Sequence, residues 1–332
     1  MRFEVSRTVD RDQWQAVADS CEYATFFHTP WWPMPFLAAD SSMRDRTLTF
    51  RFEDGAVAIF PMVERRTIRG LNRVLLSSVA GCYGGWISAD PLGPDHVRAM
   101  TDWIVARHRN LTWRLNPWDP NGSLLGGRCT QKDSTEALSF PQFQDEAAIW
   151  DNYRHSVRKQ VNKSERAGMT IQLGEDWSQW LRYYQIYEQA IQKWGSAASN
   201  RYPLELFRGF FELRGPKVKL WLVCAGEKIV GGNLNFYHNR HCVEWHACFD
   251  PEYLPHGTRN FLVHHIILDA FAAGYEIYDF NPSGGHAGSQ AFKQTFGTTS
   301  LSCDLIERRD VLYRLGTRPQ LRRLRSLVAG RA

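Results

Sequence analysis

Lys293 follows Phe292 in AFKQTFG (291–297), just after the Gly-rich turn SGGHAGS (283–289). A lysine at the start of a short helix, beside an aromatic ring and near backbone N–H groups, is suited to stabilise the oxyanion of an acyl-transfer intermediate. The plainer alternatives are an ordinary surface lysine, or one that neutralises Asp279 or Glu276. In HCVEWHACFD (241–250) strand alternation puts Glu244 and His246 on one face. A carboxylate and an imidazole side by side in a covered sheet are either candidates for the proton acceptor or a satisfied pair near Asn233 or Asn235. Tyr275, Tyr278, Asp279, Asn281 and Ser283 lie in YEIYDFNPSGG. There Gly284 and Gly285 either let a ligand approach the backbone closely or simply end a strand. Lys193, Trp194 and Arg201 surround a Gly-Ser-Ala-Ala-Ser loop, which is a lid over a substrate or an exposed linker. His264 and His265 sit in an apolar helix without a third ligand at metal spacing, so no metal is expected.

The elements that must position these residues follow from periodicity. KLWLVCAGE, KIVGGNLNFYHN and HCVEWHACFD read as three consecutive antiparallel strands. A helix from about Gly257 to Ala273, a strand ending at Asn281-Pro282, a short helix in FKQTFG and a last strand in TTSLSCDLIER come next. Upstream, Trp150, Tyr153, Val157 and Val161 mark one face of a single helix stopped by Gly168, and Asp176 to Lys193 is a second. The first half offers a helix near Asp10 to Ser20 and FFHTPWWPMPF, whose three prolines forbid regular helix. Two strands around Glu-Asp-Gly, a Gly-rich extended stretch, a helix from Pro94 to His108 and the strand LTWRLNP complete it. Each half thus runs hairpin, Gly-containing stretch, helix, and a strand ending in Asn-Pro, a repeat of pattern and not of identity.

With 332 residues, 43% of them hydrophobic, the chain suits two globular domains of about 150 residues each. No run approaches the ~18 apolar residues of a membrane helix, and a cytoplasmic protein is expected. The seven cysteines lack a CxxC pair and read as reduced thiols. The net charge of +5 is uneven. Residues 307–332 carry eight arginines against Glu307 and Asp310, and Arg154, Arg158, Lys159, Lys163 and Arg166 form a second cluster. Both are solvated helix faces or docking sites for a phosphate-bearing partner.

The element order of the second half resembles the GNAT acyltransferase core. RKQVNKSERAG (158–168), GYEIYDFNPSGG (274–285) and AFKQTFG together resemble the Fem family, which builds peptidoglycan interpeptide bridges, and its shorter tandem-GNAT relatives. The resemblance implies an α/β (α+β) fold of two tandem GNAT-like domains with mixed sheets: residues 1–145, residues 146–306, and a basic tail at 307–332. It implies transfer of an aminoacyl group from aminoacyl-tRNA, or of an acyl group from a thioester, to an amine on a small molecule or peptide. Arg158 then matches an arginine that holds substrate phosphate, and Phe292 and Lys293 match a pair at the transfer centre. No tightly bound cofactor is implied; a coenzyme A thioester enters as co-substrate only. The chain departs from the family in lacking room for the long helical arm of the bridge-building members. It departs from the usual GNAT pyrophosphate loop too, because YLPHGTRN has no second glycine or alanine at the required spacing. The rival readings are an acyl-CoA-dependent N-acyltransferase and an idle binding module in cell-wall or polysaccharide assembly.

Overall fold

The computed structural model of the chain describes residues 1–7, 9–67, 72–194, 201–311 and 313–314. In chain order the elements are β1 (Phe3–Ser6), α1 (Arg11–Ser20), α2 (Met34–Ala39), β2 (Met43–Asp45), β3 (Leu48–Phe52), β4 (Val57–Phe60) and β5 (Val63–Thr67). Then come β6 (Asn72–Leu76), α3 (Pro94–Arg107), β7 (Leu111–Arg114), β8 (Ser134–Ser139), α4 (Glu146–Asn152), α5 (His155–Arg166), β9 (Met169–Leu173) and α6 (Trp177–Trp194). The last are α7 (Leu204–Glu212), β10 (Val218–Ala225), β11 (Lys228–His238), β12 (His241–Phe249), α8 (Thr258–Ala272), β13 (Ile277–Asp279), α9 (Ala287–Gln294), β14 (Thr299–Ser302) and β15 (Leu305–Arg308).

These elements form two compact units that are discontinuous in sequence. The first comprises Met1–Cys21, Asp40–Lys132 and the described residues from Cys303; the second comprises Glu22–Ala39 and Asp133–Ser302. The first unit holds the sheets β1-β3-β4 and β15-β7-β6-β5-β2, and the second holds β14-β8-β13-β12-β11-β10-β9. The division expected at 145/146 falls at 132/133 because β8 pairs with β13 and β14. The single last strand expected in TTSLSCDLIER is two strands, β14 on β8 and β15 on β7, parted at Cys303 and Asp304.

The aromatic stretch Glu22–Ala39 joins the second unit through its rings. Trp32 packs edge-on to Phe236 and Trp245 at 5.1 and 5.5 Å. Its prolines do not prevent a short helix, since Pro35 occupies the first turn of α2, where no N–H partner is needed. The helix expected through Trp150 and Val157 breaks at Tyr153, whose backbone is extended, so α4 and α5 are separate. Val157 and Val161 still face inward and bury with Tyr237, Phe261 and Ile266 in the core of the second unit. A fully buried side chain of this kind contributes about 1.5–3 kcal/mol.

The repeat of pattern has a structural counterpart, but not with the hairpin expected: β3–β4, around Glu-Asp-Gly, pairs with β1 in a separate sheet, and in the first unit it is the hairpin β5–β6 that leads through α3 to β7, parallel to β6. In the second the hairpin β11–β12 leads through α8 to β13, parallel to β12. One irregularity matters for the site: Asn235 faces Glu244 and Leu234 faces His246, so Trp245 is the extra residue of a β-bulge. All seven thiols are free, and Cys129 alone is half-buried while the others are buried. Among the described residues no helix is long and apolar enough to cross a membrane.

Candidate active site

The parallel pairing of β12 with β13 covers His241–Val243 and Ile277–Asp279 and stops there, while β12 runs on along β11 to Phe249. Glu244 is the first residue beyond the paired stretch and is buried. The Tyr278 hydroxyl donates to its Oε2 at 3.1 Å. Burial first, and then the Glu244 carboxylate, push the Tyr278 phenol well above its usual range, which keeps it a hydrogen-bond donor.

Lys293 reaches the same place from the last turn of α9, not from the start of a helix as the sequence suggested, so the N-terminal N–H groups expected beside it belong to the other end of the helix; it is only 6% exposed. Its Nζ donates to the Asn281 carbonyl at 2.6 Å. Asn281 aims that carbonyl by taking a left-handed backbone, φ 61°, a conformation costing roughly 1–2 kcal/mol for a residue with a Cβ. The turn is held from within: Asp279 Oδ1 accepts from the Asn281 N–H at 2.8 Å and from Thr135 Oγ1 at 2.5 Å. Burial lowers the Lys293 ammonium from its usual range, opposed by the carboxylates of Glu244 and Asp279. Lys293 is buried and not a surface lysine, and Glu276 pairs with Arg240 at 2.6 Å; of the plainer alternatives the one with support is Asp279, whose charge acts on Lys293.

Sequence reasoning missed two charged neighbours. Glu136 of β8 is buried and accepts from Gln290 and Gln294 of α9 at 3.1 Å each and from Thr298 at 3.0 Å, which anchors the helix that carries Lys293. Its only signal was a lone carboxylate in the small and apolar strand STEALS. Arg259, in the first turn of α8, lies 3.6 Å from the centroid of the Phe292 ring. Burial lowers its guanidinium and Glu244 opposes the shift. The charge of Arg259 also acts on Lys293 and adds to the lowering of its ammonium.

Other predicted residues lie elsewhere. The face shared by Glu244 and His246 is not formed, because the bulge at Trp245 reverses the alternation. His246 turns to α6 and α7, where its Nδ1 lies 2.6 Å from the Tyr183 hydroxyl and Phe207 and Tyr187 pack on its ring. The Tyr183 hydroxyl also lies 2.9 Å from the His246 carbonyl, and burial lowers the His246 pKa to about 3. Tyr275 packs on Tyr237 before β13, at the end of the strand away from Asn281. Ser283 is half-buried and closes a turn by accepting from the His286 N–H. Arg158 lies on α5 and donates to the Asp151 carbonyl at 3.3 Å, with Lys159 exposed beside it. Trp194 ends α6; its side chain, the loop at 195–200 and the tail from 315 lie outside the described residues. His264 is buried against Trp150 and Tyr153.

The site therefore offers a buried cation, a buried carboxylate with a phenol donor, and a strand edge freed of its partner. These are the parts that transfer of an acyl group to an amine requires.

Residues 151–294 match the family described as an acetyltransferase (GNAT) domain. No curated protein sequence matches the chain. Among solved structures, FemX superposes with a TM-score of 0.67 at 11% identity, over 95% of this chain and 99% of that one. L-PGS from Bacillus licheniformis gives 0.58 at 13% identity, over 92% and 95% of the two chains. A tandem GNAT protein from the clavulanic acid biosynthesis pathway gives 0.54 at 10%, over 92% and 98%. The two-domain GNAT-like fold with mixed sheets, expected from the sequence, is the fold found, and the Fem-like resemblance meets a Fem-like architecture.

Proposed function

We propose that this chain, an acyltransferase of the GNAT fold, moves an aminoacyl group from aminoacyl-tRNA to an amine acceptor. The observation that carries the reading is Lys293: a buried ammonium fixed at 2.6 Å on the Asn281 carbonyl, next to the end of the β12–β13 pairing. In this scheme the neutral amine attacks the acyl carbonyl carbon and Lys293 stabilises the oxyanion. A water-excluded cation already held in place needs no reorganisation as charge develops. Glu244 accepts the amine proton and Tyr278 holds the carboxylate in position. As the C–O ester bond breaks, Glu244 returns that proton to the ester oxygen, which leaves as the ribose hydroxyl, while the new amide bond stays on the acceptor. Arg158 and the basic residues beside it would meet phosphate of the donor or acceptor.

Two features support tRNA over coenzyme A as donor carrier. One is the resemblance to the Fem family. The other is the loop ahead of α8: a Cβ at Gly257 would collide with the Gln160 carbonyl, and Lys163 and Ser164 of α5 donate to the carbonyls of Pro255 and His256 at 2.6 and 2.7 Å. A glycine that in a CoA-dependent enzyme would admit a pyrophosphate is here taken up by helix packing. The test is incubation with charged tRNA or with acyl-CoA and a panel of amines, read by mass spectrometry. The expected product is an aminoacylated amine that forms from charged tRNA and is abolished by RNase. Transfer from acyl-CoA, or transfer that survives RNase, contradicts the tRNA assignment; no product from either donor contradicts the reaction.

A further inference from the structure

The first unit contains a cavity of about 450 Å³ into which Arg7, Arg46, Arg73 and Arg107 converge, with Glu64 the one carboxylate in its lining among the described residues. The arginines come from separate places: the end of β1, the turn before β3, β6, and the last turn of α3. The floor is apolar, with Leu48 and Met62 buried. Glu64 is already engaged, accepting from Arg46 at 3.4 Å and from Arg66 at 3.3 Å. Against the upward push of burial, Arg46, Arg66 and Arg73 hold its carboxyl below the usual range. Arg107 lies over the Trp103 ring, 4.5 Å from the centroid, which fixes its direction without neutralising it. No ion pair forms at Arg7 or Arg73 among the described residues. Burial, and then the charges of Arg7 and Arg107, lower the pKa of His108 at the rim, as expected where positive potential is unbalanced.

Arg7, Arg73 and Arg107 are exposed, so water and salt screen their mutual repulsion; together they leave an excess of positive charge around the cavity that an anion would balance. Guanidinium forks match phosphate oxygens in pairs. A volume of this size admits more than a single inorganic anion. We propose that this cavity binds a phosphorylated small molecule through its phosphate groups, with Arg7, Arg73 and Arg107 as the ligating side chains. The proposal stands apart from the acyl-transfer reading and survives or fails without it.

The experiment is calorimetric titration of the full chain with inorganic phosphate, pyrophosphate and a nucleoside diphosphate, for the wild type, Arg73→Gln, Arg107→Gln and the control Arg44→Gln outside the cavity. The three probes separate a free-phosphate ligand from a nucleotide. Saturable binding of at least one probe is expected, weakened at least about tenfold by Arg73→Gln or Arg107→Gln and unchanged by Arg44→Gln. Circular dichroism and the ligand-free melting temperature of each variant establish that it is folded at the temperature of the titration. Absence of saturable binding for every probe overturns the proposal. Undiminished binding in both cavity variants overturns it as well, since the anion is then held elsewhere on the chain.

Discussion

The two units repeat one piece of structure, a hairpin, a helix and a parallel strand, and they fill the gap beyond the paired strands in opposite ways. In the first unit the main chain itself returns to the gap. Leu76 leaves β7 after pairing with Thr112, and the Gly84 N–H comes back to the Arg114 carbonyl at 3.0 Å, with Trp86 and Trp113 buried over it. In the second unit the gap beyond Val243 and Asp279 is approached by side chains: Glu244, Tyr278 and Lys293. Backbone that satisfies backbone gives stability and no chemistry. Charged side chains in the same place forgo that stability and can act on a substrate.

That contrast can be broken in several ways. The largest effect concerns acid. His28, His241 and His246 have pKa values lowered to about 3 and His264 to about 4, burial being the first cause in each, and all four lie in the second unit. A folded pKa below the ordinary 6.5 means that the unfolded chain takes up protons that the folded chain refuses. Stability is therefore full above about pH 6.5 and falls as pH drops towards the folded values, by up to about 1.4 kcal/mol per pH unit for each group. Hydrogen exchange followed from pH 7 to about pH 5 should show the second unit losing protection first; equal loss in both units contradicts this.

Next in size is Gly84→Ala. A Cβ there would collide with the Ser77 carbonyl, and a cost of about 2–3 kcal/mol is expected, read as a lower melting temperature. Transfer by the folded fraction should be unchanged, because the first gap is structural; a loss of turnover in folded protein would place chemistry there. Glu244→Gln should do the reverse, leaving the fold intact while slowing transfer about tenfold or more. A folded variant with an unaltered rate removes Glu244 from proton transfer. Smallest is His246→Phe, which loses the hydrogen bond to Tyr183 and about 1 kcal/mol of stability, with transfer within about twofold of the wild type. A fall as large as that for Glu244→Gln would move the reaction to the other face of β12.

What the sequence revealed is contiguous, and what it concealed depends on pairing. Lys293 and Phe292 were legible because a Gly-rich turn, an aromatic and a lysine lie within a few residues of one another. β10, β11, β12 and α8 were legible from their apolar periods. The separation of Glu244 from His246 was not, because alternation carries no mark of the extra residue at Trp245. The parting of β14 from β15 was hidden for a similar reason: SLSCDL (300–305) alternates straight through the break, and only the choice of partner strand divides it. Glu136 and Arg259 meet Lys293 across long sequence separations, and the four arginines of the first unit's cavity come from different elements.

The central claim is that the buried ammonium of Lys293 stabilises the transfer intermediate. Its most direct test is the single-turnover rate of Lys293→Met, a substitution of similar shape without the charge, with folding checked by circular dichroism and donor affinity measured separately. A fall of about 10²–10³-fold at nearly unchanged donor affinity is predicted. A folded variant whose rate stays within about twofold of the wild type would contradict the assignment.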